Sequence, residues 1–498
     1  MLDCMVGRGR PREGAVRSRM IGYHAGSDDV DSHVELAYQY GAVRDFEGLA
    51  DLVTRREVYR ALDSEDHNLL IRSFNNLRSD NDLLVRGLKR DLEITDLPTL
   101  CPILVESGCF RTCMEIVPED LSVLGSSKYA VLNAVARSEY KLGLDGFVRA
   151  CDTYRGIIDE YRSEFPDDEL GPADYILKYA ISADSCGRVD EAIRSYEYLN
   201  GLYRARGIDN YHSSWVSGNL ASCYLAVGRL DDSRPMYEYA LDVRRRLYGE
   251  KSPEVAWEYC YYWTYLAKIG QISKAKDVSW KAVDVYSRTY GENSVECAWS
   301  LVNHANSLTF EESYDEARTI QSRSIELNDS VLPEEQRPHS YSLTSYNNRA
   351  LIDSLNGSFD EGEFLRIAGY KNDRNGPGHP YCANTYICLG SLVPDAERGV
   401  SYYEEALGIL EGCSFANGPD SLFVELCIAV RRGSGPECLH DILGRYDPGY
   451  ADIPDIAFLV DCINGVVEGR HPKVLVSHNN GSELLCFPSE LFNRMNRR

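Results

Sequence analysis

Three tryptophans recur at a fixed interval in the middle of the chain. Trp215, Trp257 and Trp299 follow one another at steps of 42 residues, and an alanine precedes the second and the third. A tryptophan side chain offers a large apolar area that often anchors a binding partner. Tryptophan is also often partly buried in the core of a protein. The spacing therefore leaves two roles open, as anchors in a binding groove or as core between repeats.

Asparagines accompany the tryptophans. Asn219, Asn303 and Asn348 each stand two residues before an alanine, so they occupy equivalent positions. A side-chain amide has both donor and acceptor groups, which lets it bind the backbone of an extended peptide whatever the peptide's side chains are. The alternative is that these amides bond the backbone of the neighbouring repeat. We predict a peptide-binding groove formed by Trp215, Asn219, Ser222, Trp257, Tyr261, Thr264, Trp299, Asn303, Asn306, Asn347 and Asn348.

The same interval organises the residues between these positions. Gly228 matches Gly270, and Ser233, Ala275 and Ala317 form a column of small residues. Self-similarity at this period is typical of a solenoid, in which each unit packs on its neighbours. Each glycine is expected to end a helix in the left-handed conformation, and the small residues are expected where two helices cross closely. Helical spacing then places the candidate groove residues on one face of the first helix of each unit.

These units resemble the tetratricopeptide repeat of the kinesin-light-chain type. The resemblance covers about 127–410, and it implies an all-α, right-handed superhelical solenoid of tetratricopeptide-like helix pairs with helical caps. It also implies a concave surface that holds peptide segments of other proteins. The heptad region with which kinesin light chains pair to the motor is not visible, so motor association is not expected. The matching residues are Asn219-Leu220-Ala221, Tyr224, Gly228, Leu230, Tyr237, Ala240-Leu241, Tyr248-Gly249 and Pro253-Glu254-Val255-Ala256, with Gly376-Pro377-Gly378-His379-Pro380 as an inter-repeat loop.

The strength of the repeat pattern divides the chain into four segments. We predict a flexible basic tail over 1–28, degenerate helical repeats over 29–126, the repeat array over 127–412 with its best units at 185–332, and a helical cap over 413–498. In the cap, two apolar runs flank Asn479-Asn480-Gly481, which predicts a short hairpin. A lone hairpin is only marginally stable, so this one is expected to pack on the last helices.

Composition narrows the function. The 498 residues carry a formal net charge of −24, which excludes a general grip on nucleic acid and favours basic or neutral protein or peptide partners. The 16 cysteines form no C-x-x-C pair, which favours reduced thiols. No apolar run is long enough to span a membrane, and no signal peptide is visible. Enzyme sequence motifs are also missing, so we expect a cytoplasmic, non-catalytic protein with no cofactor and no metal.

Chaperone-binding versions of the repeat clamp a terminal carboxylate with basic residues on the first helix. Here those positions hold mostly neutral residues, and Lys268 is the solitary exception. Recognition of an acidic C-terminus is therefore not expected.

Two other classes of function stay open. Gly7-Arg8-Gly9-Arg10-Pro11-Arg12 resembles the core of an AT-hook, in which arginines enter the narrow minor groove of A·T-rich DNA. A ligand-sensing regulator could then contact DNA through Arg8 and Arg10, although a floppy basic leader is the favoured interpretation of this stretch. The other class is an enzyme whose site lies around His471 to Phe487.

Overall fold

The structure is a computed structural model, and it describes residues 21, 30–90, 92–142, 144–330, 338, 342–376, 378–412, 418–464, 474–476 and 483–488. The predicted basic tail, apart from residue 21, lies outside the described residues, and so do Arg8, Arg10, His471 and the turn at 479–481. The chain divides into two compact units, Met1–Tyr175 and Ile176–Arg498. The boundary expected near residue 126 falls within the first unit.

Short helices form the first unit. Three of them begin at an aspartate, because Asp45, Asp66 and Asp80 accept hydrogen bonds from backbone N–H groups in the first turn. Their apolar stripes meet in one core that includes Phe74 and Leu100. The helices are α1 (Val30–Val43), α2 (Phe46–Val53), α3 (Arg56–Glu65), α4 (His67–Leu77), α5 (Asn81–Leu88), α6 (Leu97–Glu106), α7 (Phe110–Ile116), α8 (Lys128–Tyr140) and α9 (Leu144–Glu164), with 3₁₀ turns at Ile94–Asp96 and Ser122–Ser127.

Helix α10 (Ala173–Ser185) spans the division between the units, and longer antiparallel helices follow it in the second unit. Five successive pairs each consist of a first helix, which we call an A helix, and a second, which we call a B helix. The order is α11 (Val189–Ala205), then the pairs α12 (Tyr211–Ala226) and α13 (Leu230–Tyr248), α14 (Pro253–Lys268) and α15 (Ile272–Tyr290), α16 (Glu296–Phe310) and α17 (Tyr314–Asp329), α18 (Ser342–Leu355) and α19 (Glu361–Asn375), and α20 (Pro380–Leu392) and α21 (Ala396–Glu411).

The turn between the helices of a pair has the predicted form. Gly228 and Gly270 follow α12 and α14 with φ of +78° and +72°, in the left-handed region that favours glycine. The small residues are buried where the helices cross, and Ser233 Oγ donates to the carbonyl of Ala221 at 2.8 Å. Because these contacts repeat from pair to pair, the fold is an all-α solenoid of tetratricopeptide-like helix pairs, as the sequence predicted.

The chain turns back on the array after the last pair. Helices α22 (Pro419–Arg432), α23 (Glu437–Leu443) and α24 (Pro454–Ile463) follow, with a 3₁₀ turn at Pro448–Asp452. Strands β1 (Val474–Val476) and β2 (Leu484–Cys486) then pair antiparallel, where the hairpin was expected. Strand β1 lies against α14, and β2 lies against α18 and α20. We call this side of the A helices the inner face.

The segment before the strands also contacts the array. Ile453 lies so close to Gly228 that a Cβ atom at this glycine would come within 2.6 Å of its Cδ1 atom. Gly228 therefore serves two purposes, since it permits the left-handed turn and leaves room for the returning chain. The C-terminal part of the chain thus meets the A-helix side of the array from the end of α12 to α20.

Candidate functional site

One group of predicted groove residues forms an aromatic cluster on neighbouring A helices. Trp257 and Tyr261 lie on α14 and Trp299 lies on α16, with ring centroids 4.8 Å apart between the two tryptophans and 5.0 Å apart between Tyr261 and Trp299. Trp257 is 37% exposed, and the other two are partly buried. Trp215 lies apart and packs on Tyr211 at 5.3 Å. The cluster is an apolar surface accessible enough to take an anchor side chain.

The predicted asparagines share one position in the repeat. Asn219, Asn303 and Asn348 each lie nine residues before the residue of positive φ that follows their helix. Their contacts nevertheless differ. Asn219 Nδ2 donates to the carbonyl of Trp215 in its own helix at 2.9 Å, whereas Asn303 Nδ2 donates to Cys260 of the preceding A helix at 3.0 Å.

Asn348 holds the chain's own strand. Its Oδ1 atom accepts a hydrogen bond from the backbone N–H of Leu484 in β2 at 2.8 Å. Its Nδ2 atom donates to Asn306 Oδ1 at 3.0 Å, and Gln321 donates to the same oxygen at 2.9 Å. This amide therefore binds an extended backbone, which is the chemistry that the sequence suggested for the column.

Two other predicted residues bond within the array. Asn347 Oδ1 accepts from Thr385 Oγ1 at 2.9 Å, and both side chains are fully buried. Ser222 Oγ lies 2.8 Å from the hydroxyl of Tyr237 on the B helix of its pair. Asn347 therefore links two repeats, and Ser222 links the two helices of one pair. The remaining predicted residue, Thr264, is partly buried on α14.

Residues of α20 complete the hold on the backbone of β2. Cys388 Sγ donates to the carbonyl of Leu484 at 3.5 Å, and Ser391 Oγ donates to the carbonyl of Cys486 at 2.5 Å. Together with Asn348, these side chains bond three polar groups of the strand on one side, namely Leu484 N–H, Leu484 C=O and Cys486 C=O. The strand is thus bound by side chains of A helices on this side, as a peptide ligand would be, while its other edge pairs with β1.

A buried ion pair fixes the start of the strand. Lys371 Nζ, from α19, pairs with Glu483 Oε1, and Asn384 Nδ2, from α20, donates to Glu483 Oε2 at 2.9 Å. Lys371 also donates to the carbonyl of Tyr381 at 2.9 Å. The Lys371 and Glu483 side chains are 2% and 0% exposed. We call Asn348, Lys371, Asn384, Cys388 and Ser391 the strand seat.

Sequence reasoning missed four of the five residues of the strand seat. Asn384 continues the asparagine column, because it lies nine residues before Val393, which ends α20. Pro394-Asp395 stands there in place of the turn glycine. Without that glycine, the alignment of Asn384 with the other asparagines could not be recognised in the sequence. Lys371 carried no signal of its own, since it belongs to a B helix and its partner lies more than 100 residues further along the chain.

Aromatic side chains close the far end of the strand. The Phe487 ring lies 4.9 Å from Phe458 of α24 and 5.8 Å from Phe423 of α22, measured between centroids. Phe487 is 2% exposed, and Leu484 and Leu485 are fully buried. The segment Glu483–Phe487 therefore presents a carboxylate first and a run of apolar side chains after it.

A second buried carboxylate, that of Glu258, lies on α14. Glu258 Oε2 is 3.3 Å from Arg244 Nε, while Oε1 has no hydrogen-bond partner among the described residues. Burial raises the pKa of Glu258 to about 7, and the Arg244 charge opposes this shift. Burial also lowers the pKa of Lys268 to about 8, against the opposing charges of Asp455 and Asp420. Lys268 therefore faces acidic residues of the returning chain.

Neither a metal site nor a membrane-spanning helix is found among the described residues. Within the described ranges, no group of histidine, cysteine, aspartate or glutamate side chains is arranged to hold a metal ion. None of the described helices has the length and apolar character needed to cross a membrane. The fourteen cysteines that the structure describes are free thiols.

Comparison with family models finds one match within the array. The tetratricopeptide repeat family model matches residues 217–254, which cover most of α12, all of α13 and the start of α14. No curated protein matches the chain. The solved structures that resemble it include kinesin-light-chain and Rap proteins built from such repeats.

Three of these structures show how sequence identity, coverage and TM-score vary. A Rap protein complexed with competence and sporulation factor is 15% identical, with 82% of this chain and 100% of that chain covered and a TM-score of 0.47. A plasmid Rap conjugation gene regulator in complex with the Phr* peptide is 14% identical, with 74% and 95% covered and a TM-score of 0.48. BtubC (BKLC) from P. vanneervenii is 18% identical, with 50% and 98% covered and a TM-score of 0.36.

Proposed function

We propose that this protein is a non-catalytic interaction scaffold that binds extended peptide segments of other proteins on the inner face. The observation that carries the proposal is the hydrogen bond from Leu484 N–H to Asn348 Oδ1, which is 2.8 Å long. An amide of the repeat column there binds the backbone of an extended segment. Since backbone groups are the same in every peptide, the same chemistry suits a ligand supplied by another protein.

The aromatic cluster supplies the second element of the proposal. Trp257, Tyr261 and Trp299 lie on α14 and α16, while the bonds to the strand backbone come from α18 and α20. An apolar ligand side chain packed on these rings would add the anchor that backbone bonds lack. The net charge of −24 favours ligands that are basic or neutral as a whole, and the free thiols suit a reducing compartment such as the cytoplasm.

A peptide array tests this function. The labelled full chain is applied to immobilised peptides of about twelve residues, and the Kd of each peptide that binds is then measured in solution. Trp257→Ala should weaken binding by about 30-fold, which corresponds to ~2 kcal/mol for loss of an anchor. The matched control is Trp280→Ala, because Trp280 is an exposed tryptophan on the B helix α15.

Melting temperatures keep the result interpretable. Trp257 is partly exposed, so its replacement should leave the fold intact, and a weakened affinity then reports on the surface. Equal losses of affinity in the Trp257 and Trp280 variants would contradict a role for the inner face. So would peptides that bind the two variants and the wild type alike.

A further inference from the structure

The segment Glu483–Phe487 occupies the inner face without belonging to any repeat. The A and B helices pack on one another, whereas this segment is attached through the strand seat, the pairing with β1 and the Phe487 contacts. A two-stranded hairpin has little stability by itself. Its position therefore depends on the contacts that the array supplies.

The strand seat is polar although it is fully buried. Asn348, Asn384 and Ser391 are 0% exposed, and Asn384 donates to Glu483 of the buried ion pair with Lys371. Removing two charges from water costs several kcal/mol, and apolar side chains of similar volume often stabilise such a position better. A permanently closed core has no need of these groups. In contrast, a surface that is sometimes open can expose them to water at little cost.

We propose that Glu483–Phe487 is a built-in, displaceable ligand, and that its seat binds in trans an extended peptide in which a glutamate is followed by apolar residues. This inference rests on the proposed function and specifies the ligand class for one part of the inner face. The intramolecular segment competes with the ligand. In the free protein, the chain's own segment therefore occupies the strand seat.

The contacts define what the ligand must offer. Its carboxylate replaces that of Glu483 between Lys371 Nζ and Asn384 Nδ2. Its backbone takes the bonds from Asn348, Cys388 and Ser391. An aromatic residue four positions after the glutamate fills the space of Phe487 between Phe423 and Phe458. The single carboxylate is a local requirement, and the rest of the ligand can be basic or neutral.

Tethering explains why the free protein would bind such a peptide weakly. A segment attached by a short linker acts at an effective concentration on the order of millimolar. A peptide of equal intrinsic affinity must outcompete it, so its apparent Kd rises to about that concentration. When the intramolecular contact is weakened, the apparent Kd falls toward the intrinsic value.

The test uses the full chain and a fluorescein-labelled peptide with the sequence of Glu483–Pro488, read by anisotropy. Glu483→Ala in the protein removes the intramolecular carboxylate and should tighten peptide binding by about tenfold or more. Glu397→Ala is the matched control, because Glu397 is an exposed glutamate in the first turn of α21. A peptide whose glutamate is replaced by alanine should bind the Glu483→Ala protein at least tenfold more weakly than the original peptide.

Hydrogen exchange on the wild-type chain supplies a test that needs no variant. Displacement predicts that the Leu484 amide, which donates to Asn348, exchanges at least tenfold faster than amides inside α16, and that added peptide raises its rate further. Exchange of Leu484 only at the rate of α16 would mean that the strand leaves only on global unfolding, and the proposal would be wrong. A folded Glu483→Ala protein that does not bind the peptide would overturn it as well.

The two proposals fail in different ways. The ligands found on the peptide array are measured with the same protein preparations. If they bind and depend on Trp257 while the Glu483–Pro488 peptide does not bind the Glu483→Ala protein, the displaceable segment is refuted and the scaffold function stands. If no peptide binds any of these proteins, both proposals are refuted.

Discussion

Two buried glutamates, one on α14 and one at the strand seat, lie in opposite circumstances. On α14, Glu258 has only Arg244 at 3.3 Å, and its Oε1 atom has no hydrogen-bond partner among the described residues. At the strand seat, Glu483 pairs with Lys371, and its second oxygen accepts a bond from Asn384 at 2.9 Å. Glu483 comes from outside the repeats, and repeat side chains contact both of its carboxylate oxygens. Glu258 belongs to a repeat, and only one of its carboxylate oxygens has a partner among the described residues.

This difference shows how one repeat can serve two purposes. The asparagine column bonds its own helix at Asn219, joins two repeats at Asn303, and holds a strand at Asn348. A side-chain amide both donates and accepts, so each member of this column can bond the polar groups, backbone or side chain, that lie within its reach. The repeat therefore supplies a row of binding groups, and the neighbouring backbone decides whether each one stabilises the array or binds a ligand.

The largest effect on stability is expected from Arg431, which bonds the backbone at the end of α20, next to the strand seat. Arg431 is buried and donates to the carbonyls of Gly390, Ser391 and Val393 at 2.7, 3.0 and 2.8 Å. Arg431→Met leaves three carbonyls without this donor, at ~1–3 kcal/mol each before relaxation, so the free energy of unfolding should fall by about 3–5 kcal/mol. Denaturant unfolding measures this change.

The adjacent arginine provides the control for that variant. Arg432 forms an exposed ion pair with Glu404 at 2.6 Å. Arg432→Met should change stability by at most about 1 kcal/mol, since exposed pairs contribute little. Similar losses for the two variants would mean that the end of α20, and with it Ser391, does not depend on Arg431.

A smaller effect is expected from Glu258, and it depends on pH. The pKa of this carboxyl is about 7 in the folded protein against an ordinary value of 4.5, so the folded state binds more protons between these values. The stability that protonation contributes is complete below pH 4.5 and is lost as the pH rises through 7. The loss should amount to about 1–3 kcal/mol. Glu258→Gln should remove it, as shown by urea unfolding at several pH values.

A glutamate on the same helix separates this effect from the general acid response of the chain. Glu254 lies in the first turn of α14, and Glu254→Gln should keep the pH dependence of the wild type. If Glu258→Gln leaves the slope unchanged between pH 4.5 and 7, the carboxyl is not the group that titrates in this window. The missing partner of Glu258 Oε1 among the described residues would then have no effect on stability.

Much of the fold could be predicted from the sequence because the same contacts recur in successive repeats. The glycine turns at Gly228 and Gly270 have the expected positive φ, and the small column is buried at the helix crossings. The hairpin strands also lie where the two apolar runs around a turn sequence predicted them. The predicted bounds of the four segments stay a prediction, because they rest on the strength of the repeat pattern, whereas the two compact units divide at residue 175 by packing.

The strand seat could not be predicted, since its parts come from segments far apart in sequence. Lys371 and Glu483 have no common motif, and their pairing follows only from the return of the chain along the A helices. Periodicity identified Asn348 as a group that binds an extended backbone, but it could not identify the backbone. A repeat pattern describes contacts between neighbouring units and says nothing of a segment that crosses several of them.

The smallest predicted effect separates two members of the asparagine column. Asn303 is fully buried and donates to the carbonyl of Cys260 in the preceding A helix, so Asn303→Ala removes a buried hydrogen bond between two repeats and should lower the free energy of unfolding by about 1–2 kcal/mol. Asn219 is only partly buried and bonds its own helix, so Asn219→Ala should cost less than about 0.5 kcal/mol. Urea unfolding of both variants at one pH measures the difference. Equal losses would show that position in the repeat, rather than the backbone each amide reaches, sets its contribution to stability.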